Sequence, residues 1–134
     1  MPRLRAKESA SMQRMIKVLV ADNQPRARNS VRALLSTWSL VGEVRQAGNG
    51  REALDLVREF QPDLVLMDVR MPEMDGLEAT VLIKARSPQV KVIVLSIYPE
   101  YRPEALAVGA DAFVSKADAP RELLGVLAAV LGEV

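Results

Sequence analysis

Apolar residues along the chain fall into short continuous runs that alternate with longer stretches of helical period. Ile16–Ala21 (IKVLVA) reads as a strand, and Asp22, Asn23, Gln24 and Pro25 follow as turn and helix-start residues. After them Ala27, Val31, Leu34, Leu35 and Trp38 recur on one face of a first helix, leaving Arg26, Arg28 and Arg32 on a solvated face. Residues 43–47 form a weaker strand ending at Gly48, Asn49 and Gly50. Helical spacing at Ala53, Leu54, Val57 and Phe60 then predicts a helix over 51–60, stopped by Pro62. Residues 63–67 (DLVLM) are a continuous apolar strand running into Asp68, followed by a turn-rich loop over 70–76 and a helix over 77–86. Residues 90–95 make the next strand, ending at Ser96. A short helix over 103–108 leads through Gly109 to a fifth strand, Ala112–Ser115. The last helix, over 120–131, starts at Pro120 and carries a stripe of Leu123, Leu124, Leu127, Val130 and Leu131.

Strands that are apolar throughout, alternating one for one with helices, predict an α/β fold: a doubly wound, five-stranded parallel sheet with five helices covering both faces. Right-handed crossovers favour the order 2-1-3-4-5, a flavodoxin-like arrangement in which ligands sit beyond the carboxyl ends of the strands, at the switch point between the first and third.

Composition narrows the chemistry. The 134 residues, 49% hydrophobic and 26% charged, suit one packed domain, and with 4% aromatics its core must be aliphatic. Neither cysteine nor histidine is present, so thiolate, disulfide and imidazole chemistry are excluded. Net charge is +1, and the basic excess is confined to residues 1–15, where Arg3, Arg5, Lys7 and Arg14 face Glu8 alone. Those residues read as a disordered basic arm before a domain over 16–134. The balance argues against an extended nucleic-acid surface, apolar runs are strand-sized, and the chain reads as cytoplasmic, with no membrane association.

The predicted strand ends converge on one crevice: Asp22 and Asn23 after the first strand, Asp68 after the third, Ser96 after the fourth and Lys116 after the fifth. Two carboxylates and an amide oxygen are hard ligands suited to Mg²⁺. A lysine and a hydroxyl can both donate to phosphoryl oxygens. The chemistry that uses all of them is phosphoryl transfer to a carboxylate.

These residues sit in segments that resemble the receiver domain of two-component response regulators, over roughly residues 16–131. Residues 68–76 (DVRMPEMDG) are similar to the phosphoacceptor loop, with Pro72 and Gly76 at its turn positions, and 109–116 (GADAFVSK) to the segment bearing a switch aromatic and a lysine. The resemblance implies that Asp68 is the nucleophile, that Asp22, Asn23, Asp68 and the backbone carbonyl of Arg70 hold Mg²⁺, and that Lys116 and Ser96 contact the phosphoryl group. Ser96 and Phe113 would be the switch pair, remodelling the surface of helix four, strand five and helix five. Expected partners are a sensor histidine kinase, met by the first helix, and a second copy of the chain through that switched surface. The chain would be no enzyme, beyond labelling itself from small acyl phosphates and slow autodephosphorylation.

Two positions depart from the family pattern. Asn23 stands where most relatives carry a second acid, and Ala117 where many carry proline. The missing proline, together with residues 95–98 (LSIY), resembles the receivers of NarL/LuxR-type transcription regulators; with no helix-turn-helix after the receiver, a lone or excised receiver without direct DNA binding is expected. A haloacid-dehalogenase-type phosphatase would need an aspartate where Arg70 stands, and a flavodoxin-like cofactor binder a phosphate loop where Asp22 stands. The remaining alternative is a receiver-like interaction module that works without phosphorylation, for which Asn23 is the support.

Overall fold

The computed structural model describes residues 15–132; the expected disordered arm lies, apart from Met15, outside the described residues. The elements are β1 (Ile16–Ala21), α1 (Pro25–Leu35), β2 (Val41–Ala47), α2 (Gly50–Phe60), β3 (Leu64–Met67), α3 (Gly76–Arg86) and β4 (Lys91–Ser96). A 3₁₀ turn (Pro99–Tyr101) then runs into α4 (Arg102–Ala107), followed by β5 (Ala112–Ser115) and α5 (Ala119–Leu131). The strands form one sheet in the order β2-β1-β3-β4-β5, every pair parallel. This is the doubly wound, flavodoxin-like arrangement that the alternating pattern predicts.

Strand residues alternate between two cores because successive side chains leave opposite faces of the sheet. Leu19, Val65, Met67, Val92, Val94 and Phe113 face α2, α3 and α4, where Ala53, Val57, Ala79, Ile83 and Ala105 close over them. Val18, Val20, Leu64, Leu66, Ile93 and Leu95 face α1 and α5, covered by Leu35, Leu123 and Leu127. Each fully buried leucine contributes roughly 2 kcal/mol of transfer free energy. In β1, β3, β4 and β5, covered on both faces, no side of the strand is left to solvent, and a period of two is absent from their sequences.

Three boundaries differ from the sequence pattern. Trp38 lies beyond α1: the helix ends at Leu35, the Ser36 and Thr37 hydroxyls donate to the Ala33 and Leu34 carbonyls, and the half-buried indole reaches the α1/α5 core from the following turn. β2 begins at Val41, ahead of Glu43, because it is an edge strand whose register with β1 shifts between Ile16 and Val18, which hides the alternation. The α5 stripe is packed, with Leu123 and Leu127 buried and Leu124, Val130 and Leu131 half-buried against the same core. The exposed large apolar side chains among the described residues are instead Met15, Val81, Ile97 and Leu106.

Candidate functional site

Parallel strands deliver their carboxyl ends to one edge of the sheet, and the ladder itself sets the first two carboxylates. Asp22 donates its amide to the Ala47 carbonyl at 3.0 Å, and Asp68 donates its own to Ala21 at 2.9 Å, so both side chains leave the sheet at the β1/β3 switch point. Lys116 arrives from the end of β5, where its amide bonds the Ser96 carbonyl at 2.8 Å. Its Nζ donates to Asp22 Oδ2 at 2.6 Å and lies 3.6 Å from Asp68 Oδ1. The structure therefore brings Asp22, Asp68 and Lys116 into one charge cluster, of which Asp68 and Lys116 line a crevice of about 540 Å³ together with Asn23 and Arg70.

Asp22 is buried and used on every side. Its Oδ1 accepts the Gln24 amide at 2.9 Å, an Asx turn that aims the chain into α1, and its carbonyl accepts Arg28 Nη1 at 2.7 Å. Asp68 differs. Burial, then the facing Asp22 charge, push its carboxyl from the ordinary 3.8 up to about 6, with Lys116 offsetting part of the effect. Two carboxylates sharing one lysine lack positive charge, and a divalent cation would supply it.

The loop after Asp68 is held by backbone geometry. Gly76 donates to the Val69 carbonyl at 2.8 Å, and a Cβ on it would overlap the Asp68 carbonyl oxygen. Between those two ends the loop is fastened by Gly50, the first residue of α2, whose amide donates to the Met74 carbonyl at 3.1 Å. Asp75 and Glu78 form a reciprocal capping box that starts α3.

Ser96 is buried, and its Oγ accepts the Tyr98 amide at 3.0 Å. Phe113 is also buried, with the Arg102 guanidinium 5.2 Å over its ring and donating to its carbonyl at 3.4 Å. Sequence reasoning missed two arginine contacts. Arg28, read as part of a solvated face, is half-buried and also bonds Gln46 Oε1 at 2.8 Å. Arg70 stacks 4.2 Å over the Tyr98 ring and donates Nε to the Tyr101 hydroxyl at 3.4 Å, joining the loops after β3 and β4. Neither contact has a local spacing that announces it.

The oxygen donors fit Mg²⁺ in kind. Among the described residues, however, no three acidic side chains gather at one point.

The family model for the response regulator receiver domain matches residues 18–128. The response regulator protein VraR of Staphylococcus aureus is 38% identical over 112 residues, which cover 81% of this chain and 53% of VraR; the chain spans about half the length of the curated relatives it matches. A LuxR-family two-component response regulator from Aurantimonas sp. superposes with a TM-score of 0.83 at 28% identity, covering 88% of this chain and 86% of that one. For the signal receiver domain of the response regulator NarL from Mycobacterium tuberculosis the TM-score is 0.82 at 29% identity, over 90% of this chain and 98% of that one. The likeness to NarL/LuxR-type receivers is thus present in both sequence and fold. No helix among the described residues is long and apolar enough to cross a membrane.

Proposed function

The chain belongs to the response regulator receiver domain family, and from that premise we propose that it accepts a phosphoryl group on Asp68 and passes the event on through the surface of α4, β5 and α5. The observation that carries this reading is the Asp22–Asp68–Lys116 cluster at the switch point. Asp68 is the more exposed of the two carboxylates and is not bound by a short ion pair, so its oxygen is the one available to attack. Mg²⁺ would be held by Asp22, Asp68, Asn23 and the Arg70 carbonyl, neutralising charge on the transferring group. Lys116 and the Ser96 hydroxyl would donate to the phosphoryl oxygens. With no histidine in the chain, the donor is a sensor kinase's phosphohistidine or a small acyl phosphate.

The switch would draw on new charge-assisted contacts to a dianion. Ser96 would exchange its Tyr98 amide partner for the phosphoryl group, loosening the start of the β4–α4 connection beside Phe113. A second copy of the chain meeting that surface would find Ile97 and Leu106 rather than the packed stripe of α5.

Incubation with acetyl phosphate and Mg²⁺ should add one phosphoryl group to the wild-type protein by intact mass, and none to Asp68→Asn. An adduct of equal size in the variant would overturn the assignment.

The amide at residue 23 supports a second reading, in which the domain signals by binding without phosphorylation. The two are separated by Asn23→Asp. A carboxylate in place of an amide dipole should tighten Mg²⁺ tenfold or more, about 1.4 kcal/mol, in calorimetric titration. Equal affinity in the two proteins would remove Asn23 from the ligand set, and absence of both Mg²⁺ binding and adduct would favour the phosphorylation-independent module.

A further inference from the structure

Attack by an Asp68 oxygen on phosphorus is in line: the attacking and leaving oxygens lie on opposite sides of the transferring group. The leaving group must therefore point away from Asp68, toward the mouth of the crevice. Asn23, Gln24, Arg26 and Ser30 line that mouth on the α1 side, with Arg70 and Tyr98 opposite. Three cationic side chains line the crevice, and two are committed, Lys116 to Asp22 and Asp68, and Arg70 to the tyrosine pair. Arg26 is exposed and makes no ion pair among the described residues. The first turn of α1 adds to the same field, carrying no acidic side chain and no side-chain cap.

We propose that Arg26 binds the carboxylate that departs from a small acyl phosphate, and that it sets the preference of this crevice for such donors. The inference rests on the reading of Asp68 as phosphoacceptor. In the step, one Asp68 carboxylate oxygen forms the new P–O bond, the P–O bond to the acyl oxygen breaks, and the electron pair leaves on that oxygen as a free carboxylate; no net proton transfer is needed. The departing oxygen gains charge as the bond breaks, so a guanidinium beside it favours the transition state over the bound donor. Phosphoramidate has a different leaving group, ammonia, which offers Arg26 no anion to hold.

The test compares adduct formation from acetyl phosphate and from phosphoramidate, with Mg²⁺ and below saturation, in wild type, Arg26→Ala and Arg26→Lys. Arg26→Ala should label about fivefold more slowly from acetyl phosphate, the scale of a partly exposed charge pair, while its rate from phosphoramidate stays within about twofold and Arg26→Lys recovers most of the loss. An equal loss with both donors would reduce Arg26 to general attraction of anions and overturn the proposal, as would no loss with either. Failure of the wild-type protein to label from both donors is the separate outcome that removes the Asp68 reading itself.

Discussion

Gly76→Ala should destabilise the domain by about 3 kcal/mol, the upper end of the cost of overpacking, and lower its melting temperature by roughly 10 °C. The added methyl has nowhere to go. It would overlap the Asp68 carbonyl oxygen and crowd the carbonyl carbon and the Met67 side chain, and a main-chain obstacle cannot rotate aside as a flexible side chain can. Relief requires moving either the start of α3 or the end of β3, and the second displaces the phosphoacceptor candidate. Gly125→Ala is the matched control: its position in α5 is exposed, nothing lies within 4 Å of the new Cβ, and the same substitution there should stabilise by about 0.5–1 kcal/mol through helix propensity alone. Urea denaturation of both variants decides it. A Gly76→Ala midpoint equal to wild type would show that the loop yields without cost.

Asp68→Asn should have the opposite effect, raising the melting temperature of the metal-free protein at pH 7 by several degrees. The folded state holds this carboxyl at about 6 against an ordinary 3.8. Its contribution to stability is therefore fully present below 3.8 and is lost as pH rises through about 6. At neutral pH the native state carries a partly buried charge facing Asp22, and an amide removes it; a two-unit shift bounds the gain at about 3 kcal/mol, and about 1–2 is expected once solvent screening and the loss of the weak Lys116 contact are allowed for. The advantage should fade by pH 4, where the wild-type carboxyl is itself protonated. Added Mg²⁺ should raise the wild-type melting temperature more than the variant's, since the ion binds the folded site that the variant has weakened. Melts in EDTA and in Mg²⁺ across pH 4–8 provide the measurement, and a variant less stable than wild type at pH 7 in EDTA would reverse the account.

Both effects concern residues legible in the sequence, and the reason is geometric. A parallel sheet buried on both faces writes each strand as an apolar run, and the polar residue that ends the run marks the carboxyl edge of the sheet; Asp22, Asp68, Ser96 and Lys116 are legible at that edge in this way. Edge strand β2 and the end of α1 were misread because half-exposed residues dilute the pattern, and because Trp38 keeps the helical period after the helix has stopped. Long side chains were the least legible. Whether Lys116 pairs more closely with Asp22 or with Asp68, whether Arg28 is solvated or tied to the Asp22 carbonyl, and where Arg70 stacks all depend on distances between elements remote in sequence.

The pairing of Lys116 with Asp22 also bears on how the domain assembles. A sheet with only parallel pairs contains no hairpin, so none of its strand pairs can form from a local turn, and loop closure must precede every gain in contact. The two carboxylates come together when β3 docks on β1, whereas the lysine that balances them is 94 residues from Asp22 and rides on the final strand. Any β1–β3 pair formed during synthesis before β5 is added would carry the two carboxylates without the lysine that balances them. Closing that charge imbalance gives the last strand an electrostatic incentive to dock, and couples completion of the fold to completion of the site.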